Sequence, residues 1–244
     1  MVEKVSVTIL TKDSEKYLEK CLEALREFNE IIILDNGSKD STLKIASKFD
    51  NVKIIKHDFI GFGPLKNLAA NKASNDWIFS VDSDEIATKE LIESIKKIDP
   101  EKREVVYAIS RLNHYKKKAI KCCGWYPDIV MRIYNKSFTQ FSEAIVHESL
   151  CIPDGAKKAT LDGDIKHYPF DSVESLIDKM QSYSTLYANQ SNKPSSAFKA
   201  FTRALFAFFK NYILQRGFLC GYEGLLISVS NANGVFYKYM KLYE

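Results

Sequence analysis

The N-terminal part of the chain alternates apolar strands with amphipathic helices so regularly that few folds can accommodate it. Residues 5–10 are a β-branched apolar run followed by Thr11-Lys12-Asp13-Ser14, with Ser14 as N-cap of a helix carrying Leu18, Leu22 and Leu25 at helical spacing. Residues 31–34 run into the turn Asp35-Asn36-Gly37-Ser38, and Asp40-Ser41 opens a helix predicted to reach Phe49. Residues 52–55, 65–73, 77–81 and 88–98 then read as strand, helix, strand and helix. Such repeats mean βαβ units, a parallel sheet and right-handed crossovers. Ligands of an open parallel sheet sit beyond the carboxyl ends of its strands. Residues 11–13, 35–38, 57–58 and 82–85 follow strand ends here, so polar loops converge on one rim.

After Pro100 the alternation stops. Residues 105–110 and 129–134 read as strands around the basic loop 115–121, and the pattern is helical from Ser172 onward, with breaks at Asn192-Lys193-Pro194 and Gly217. With 244 residues, 45% hydrophobic and 27% charged, the chain is one large domain or a domain with an appendage, not a disordered or fibrous protein. Its stretches are too short and too polar to span a bilayer, and the N-terminus lacks an apolar secretory core, so the expected compartment is the reducing cytoplasm. The five cysteines include no C-x-x-C pair, so neither a disulfide framework nor a structural zinc is expected.

Asp82 and Asp84 flank Ser83 directly after the strand 77–81, and period-2 geometry turns both carboxylates toward one spot. Like charges so close call for relief, and a divalent cation with oxygen ligands, Mn²⁺ or Mg²⁺, provides it and would hold a diphosphate. The alternative is that Asp82 caps the next helix and Asp84 is solvated.

The strings V-S-V-T-I-L-T-K-D-S-E-K-Y-L-E-K-C-L-E-A-L, I-I-I-L-D-N-G-S-K-D-S-T, G-P-L-K-N-L-A-A-N-K-A and W-I-F-S-V-D-S-D-E, in this order, resemble the nucleotide-binding half of family 2 glycosyltransferases. The resemblance implies the GT-A fold: an α/β, Rossmann-like, mostly parallel sheet flanked by helices, here with a helical C-terminal appendage. It divides the chain into a catalytic domain at 1–170, with a nucleotide-sugar half at 1–100 and an acceptor and base half at 101–170, and a basic, aromatic helical region at 171–244. It implies a UDP-sugar donor held by Thr11, Asp35, Gly37, Ser38, Lys66, Asn67, Asp82 and Asp84. Thr11 and Asp35 would lie near the base and ribose, and Lys66 would meet the diphosphate charge. Mn²⁺ or Mg²⁺ would sit on Asp84 and Asp82, with His167 where related enzymes carry a C-terminal metal or diphosphate ligand.

Cys122-Cys123-Gly124-Trp125-Tyr126-Pro127-Asp128 and the segment Phe141-Ser142-Glu143-Ala144-Ile145-Val146-His147-Glu148 resemble the later GT-A elements. Glu148 is the first choice for the base of an inverting reaction, with Glu143 as competitor. Trp125, Tyr126, Asp128 and Arg132 are expected at the acceptor, although Trp125 equally suits a core and Arg132 the diphosphate. The W-Y-P-D, R-I-Y-N-K, V-H-E and K-H-Y-P-F strings together resemble bacterial lipopolysaccharide inner-core β-1,4-glucosyltransferases, implying transfer of glucose to a heptose on a lipid-anchored core. A transferase acting on peptide, or a catalytically silent sugar-nucleotide-binding module, are the competing readings. A nucleotidyltransferase is disfavoured because T-K-D-S-E after the first strand is no glycine-rich phosphate loop.

The net charge of +4 is too small to call for nucleic acid. Its excess is local: residues 179–222 contain no Asp or Glu, but carry Lys179, Lys193, Lys199, Arg203, Lys210 and Arg216 among ten Phe or Tyr. Phe198, Phe201, Leu205, Phe208 and Tyr212 follow helical spacing, so residues 197–217 read either as an interfacial helix on anionic lipid, making the enzyme peripheral on the inner face of the plasma membrane, or as a helix packed with its aromatics buried.

Overall fold

The computed structural model describes residues 2–145, 148–191 and 193–243. In chain order its elements are β1 (Val5–Thr11), α1 (Glu15–Ala24), β2 (Ile31–Asp35), α2 (Thr42–Ala46), β3 (Val52–Lys56), α3 (Phe62–Lys72), β4 (Trp77–Asp82), β5 (Glu85–Ala87), α4 (Lys89–Lys96), β6 (Val105–Tyr115), β7 (Lys118–Ala119), β8 (Asp128–Asn135), β9 (Lys157–Phe170), α5 (Val173–Gln190), α6 (Ala197–Phe209) and α7 (Tyr222–Lys241). A π-helical turn (Lys210–Leu214) and a 3₁₀ turn (Gly217–Cys220) lie between α6 and α7. The helix at Thr42 ends at Ala46 rather than Phe49, and α3 begins earlier than predicted, at Phe62. β5 and β9 are strands the sequence did not announce.

The chain forms two compact units, Met1–Arg111 with Ile129–His167, and Leu112–Asp128 with Tyr168–Glu244. The first holds a mixed sheet of order β3-β2-β1-β4-β8-β6-β9-β5. β1 runs parallel to β2 and β4, and β2 to β3, whereas β8 pairs antiparallel with β4 and β5 antiparallel with β9. β1, β2 and β4 are buried on both faces because helices cover both. Ile31 and Ile33 join Leu18, Leu22, Leu91 and Ile95 on one face, while Ile32 and Leu34 join Leu65, Ala69 and Ile78 on the other. That alternation is the period-2 geometry of a strand. The expected α/β sheet is present, parallel from β3 through β2 and β1 to β4.

In the second unit α5 and α6 pack on α7. Tyr115, Ile120, Cys122, Cys123, Leu176 and Ile227 form its core. Cys122 and Cys220, 98 residues apart, are joined as a disulfide there, which corrects the expectation of none. Spacing rules could not show it, because folding and not local sequence brings the two sulfurs together. Alkylation of the denatured, unreduced protein should therefore label Cys21, Cys123 and Cys151 and spare the other two, with all five labelled after reduction, as read by intact mass. Five labels without reductant would show the pair to be thiols. Among the described residues no helix is long and apolar enough to cross a membrane.

Candidate active site

The carboxyl ends of β1 and β2 are in register, Thr11 opposite Asp35, so both side chains meet at the sheet edge. Thr11 Oγ1 donates to Asp35 Oδ1 at 3.1 Å, and the backbone N–H groups of Gly37 and Ser38 donate to Asp35 Oδ2, each at 3.0 Å. The Ser38 hydroxyl donates to Oδ1 as well. Burial alone would raise the Asp35 carboxyl, but these donors outweigh it and hold it below the usual carboxylate range. Gly37 sits at φ 86°, in the left-handed region that lets the turn fold its N–H back onto Asp35. Neighbouring loops are tied to this edge: Ser38 Oγ accepts from Asp13 N at 2.9 Å, Asn36 Nδ2 donates to the His57 carbonyl at 3.0 Å, and the hydroxyls of Ser83 and Ser14 meet at 2.9 Å. Ser14 occupies the N-cap position of α1 without capping it; its hydroxyl serves this loop contact instead.

A dense charge network begins at the end of β4. Asp82 Oδ2 lies 2.5 Å from Arg132 Nη2 and Asp82 Oδ1 3.3 Å from Lys66 Nζ. Lys66 also reaches Glu148 Oε1 at 2.7 Å, and Arg132 reaches Glu85 Oε1 at 3.0 Å, with Arg111 at 3.6 Å from the same oxygen. Glu85 is fully buried, and its other oxygen accepts the Asp82 backbone N–H at 3.0 Å. Burial raises the Asp82 carboxyl, yet Arg132 and Lys66 overcome this and hold it far below the ordinary range. Burial likewise opposes the Arg132 charge, and Asp82 and Glu85 more than restore it, so its pKa lies above the usual arginine value. The charge of Asp82 is thus balanced by two cations of the chain itself. Asp84 instead faces His167, with Oδ2 and Nε2 3.5 Å apart, because β5 and β9 pair with Glu85 opposite His167.

Lys66 and Asn67 leave α3 on its site-facing side. Gly63 permits this approach: a Cβ there would lie 1.8 Å from the Ser142 carbonyl oxygen. Asn67 Oδ1 accepts the Phe141 N–H at 2.8 Å while its Nδ2 donates to the Phe141 carbonyl at 2.9 Å and to Glu143 Oε1 at 3.2 Å. Asn67 therefore acts as a backbone clamp on the segment that carries both candidate bases. Val146 and His147 of that segment lie outside the described residues.

Residues 6–121 match the family model described as glycosyl transferase family 2. This stretch, just under half of the chain, carries the similarity to family 2 glycosyltransferases. Over 257 residues it is 28% identical to an uncharacterized glycosyltransferase of Rickettsia typhi, covering 100% of this chain and 88% of the relative. It is 25% identical to the lipopolysaccharide core biosynthesis glycosyltransferase LpsC of Rhizobium meliloti, covering 98% and 92%. Among solved structures, residues 1–349 of S. aureus TarS in complex with UDP-GlcNAc superpose with a TM-score of 0.52 at 17% identity, covering 96% of this chain and 81% of that one. Against a longer TarS structure the TM-score is 0.50 at 21% identity, and the chain covers 90% of its own length but 46% of the other. The fold is GT-A.

The expected donor and base residues Thr11, Asp35, Ser38, Lys66, Asp82, Asp84, Glu148 and His167 all fall in the first compact unit. Arg132 is there too, but its guanidinium is engaged by Asp82 and Glu85. Trp125, Tyr126 and Asp128 belong to the second unit: the Trp125 ring lies 5.4 Å from Phe170, Lys121 lies 5.2 Å over Tyr126, and Asp128 accepts from Asn113 at 3.1 Å. Glu85 and Arg111 are the members of the network that sequence reasoning missed. The signal for Glu85 was its place in the Asp82-Ser83-Asp84-Glu85 string.

Proposed function

We propose that this domain transfers a hexose, with inversion, from a UDP-sugar to a hydroxyl of a lipid-linked glycan, with glucose as the sugar and a lipopolysaccharide core heptose as the acceptor. Similarity to LpsC along nearly the whole chain supports the acceptor class, and the likeness to TarS, which binds UDP-GlcNAc, supports the donor class. The observation that carries the catalytic reading is Lys66, whose ammonium joins Glu148 at 2.7 Å to Asp82 at 3.3 Å. One lysine thereby links a carboxylate suited to proton removal with the strand end where diphosphates bind in such sheets.

In the reaction the acceptor oxygen forms a bond to the anomeric carbon as the carbon–oxygen bond to the diphosphate breaks. UDP leaves with the electron pair, and the hydroxyl proton passes to Glu148. Thr11, Asp35, Gly37 and Ser38 form the polar edge offered to the nucleoside. The Asp84 carboxylate and the His167 imidazole are an oxygen and nitrogen pair suited to Mn²⁺, whereas both oxygens of Asp82 are already paired with cations. Asp84 and His167 are the residues that would hold the ion, and among the described residues no group of three His, Cys, Asp or Glu is arranged around one point. The cation would neutralise charge developing on the leaving diphosphate.

Calorimetry with UDP, GDP, ADP and CMP, each with and without Mn²⁺, tests the donor half. UDP should bind best and only tightly with metal, and Asp84→Asn should weaken metal-dependent binding at least ~10-fold. Unchanged UDP affinity with Mn²⁺ in that variant removes Asp84 from the metal.

A further inference from the structure

The two readings left open by the aromatic tail are separated by exposure. In α6 the residues that turn inward are small: Ala200 is fully buried, and Ala204 and Ala207 are half-buried where α6 packs on α7. The large apolar ones turn outward. Phe198 is 79% exposed, Phe201 61% and Leu205 60%, and Phe206 and Phe209 extend the same arc. Phe208 and Tyr212, which the sequence placed on that arc, are half-buried and stack on each other with centroids 5.3 Å apart.

Exposed apolar side chains continue past the end of α6, first at Ile213 and Leu214. Arg216, at φ 56°, reverses the chain into the 3₁₀ turn, where Gly217 and Gly224 approach so closely that a Cβ on Gly224 would lie 1.8 Å from the Gly217 carbonyl oxygen. This contact seats the turn on α7 and leaves Phe218, Leu219, Tyr222 and Leu225 exposed. Arg203, Lys210 and Arg216 are exposed as well, and Arg203 and Lys210, seven residues apart, share one flank of the helix.

We propose that this surface is a membrane-docking face, in which the outward arc of α6 and the 3₁₀ turn after it enter the interface of an anionic bilayer while Arg203, Lys210 and Arg216 meet its phosphate headgroups. Amphipathic helices that bind membranes place bulky apolar side chains on one side and Lys or Arg beside them. Here the apolar side points away from the protein, and no Asp or Glu occurs between residues 179 and 222. A second copy fits less well, since a two-fold contact would set one basic flank against another.

Co-sedimentation of the purified, substrate-free protein with phosphatidylglycerol–phosphatidylethanolamine vesicles and with pure phosphatidylcholine vesicles tests this. Binding should be confined to the anionic vesicles and weaken as salt is raised. Phe201→Ser/Leu205→Ser/Phe209→Ser should reduce it at least ~10-fold, and Arg203→Gln/Lys210→Gln about fivefold per charge removed, with circular dichroism and UDP affinity unchanged. Equal binding by the serine variant, or a mass in light scattering that falls from dimer to monomer on those substitutions, overturns the proposal. Because the assay contains no donor or acceptor, failure here leaves the transferase reading untouched, and failure of UDP binding leaves this one untouched.

Discussion

Glu148→Gln should lower the rate of sugar transfer by at least ~10²-fold, the low end of what a positioned general base contributes. The substitution removes the proton acceptor but keeps an oxygen that can accept from Lys66, so the α3 contact at 2.7 Å need not break. Donor affinity, read by calorimetry, should stay within about threefold, so that the loss falls on kcat rather than on binding. Glu143→Gln is the paired control. Glu143 is exposed and accepts only a 3.2 Å bond from Asn67 in the described network, an interaction a glutamine oxygen preserves. It should transfer sugar at nearly the normal rate. Reversal of the two results would make Glu143 the base and leave Glu148 as the counter-charge that holds Lys66.

How far the sequence exposes this arrangement depends on the range over which each feature is decided. The first four strands and the helices between them are legible because apolar periodicity is a local signal, and Thr11, Asp35 and Asp82 follow from it as strand-end residues. β5, with only Glu85-Ile86-Ala87, is too short to carry a pattern. β9 is hidden for another reason: Lys157–Phe170 interleaves charges with apolar residues, and its pairing is fixed by distant contacts. One of them is Gly163, at φ 92°, where a Cβ would lie 2.3 Å from the Leu91 nitrogen. Missing these two strands also hides why His167 faces Asp84, since their antiparallel register sets that pair. The D-x-D pattern led to the expectation of a divalent cation at Asp82, whereas the partners Asp82 has are Arg132, 50 residues away, and Lys66. Side chains so far apart in sequence become partners only once β4, β8 and α3 are assembled.

The same network carries the largest expected stability effect. Arg132→Met should destabilise the first unit by about 3 kcal/mol, the lower end of the range for breaking a buried ion pair, in denaturant unfolding. Its guanidinium neutralises Asp82 at 2.5 Å and Glu85 at 3.0 Å, and Glu85 is 0% exposed. Methionine fills comparable volume, so the loss is electrostatic more than steric. Arg111, at 3.6 Å from Glu85, keeps the effect from being larger. Lysine should recover only part of it, because a point charge cannot bridge two carboxylates as a planar guanidinium does. Adding Glu85→Gln to Arg132→Met should return part of the loss, since the orphaned charge is then gone. The pH dependence has a definite sign. Asp82 is held below its ordinary pKa of about 3.9 mainly by Arg132, so its stabilising contribution is complete above that value and fades as pH falls below it. The stability gap between the parent and Arg132→Met should therefore narrow in acid, from pH 4 downward. A gap that stayed constant to pH 2 would assign the loss to packing and not to charge.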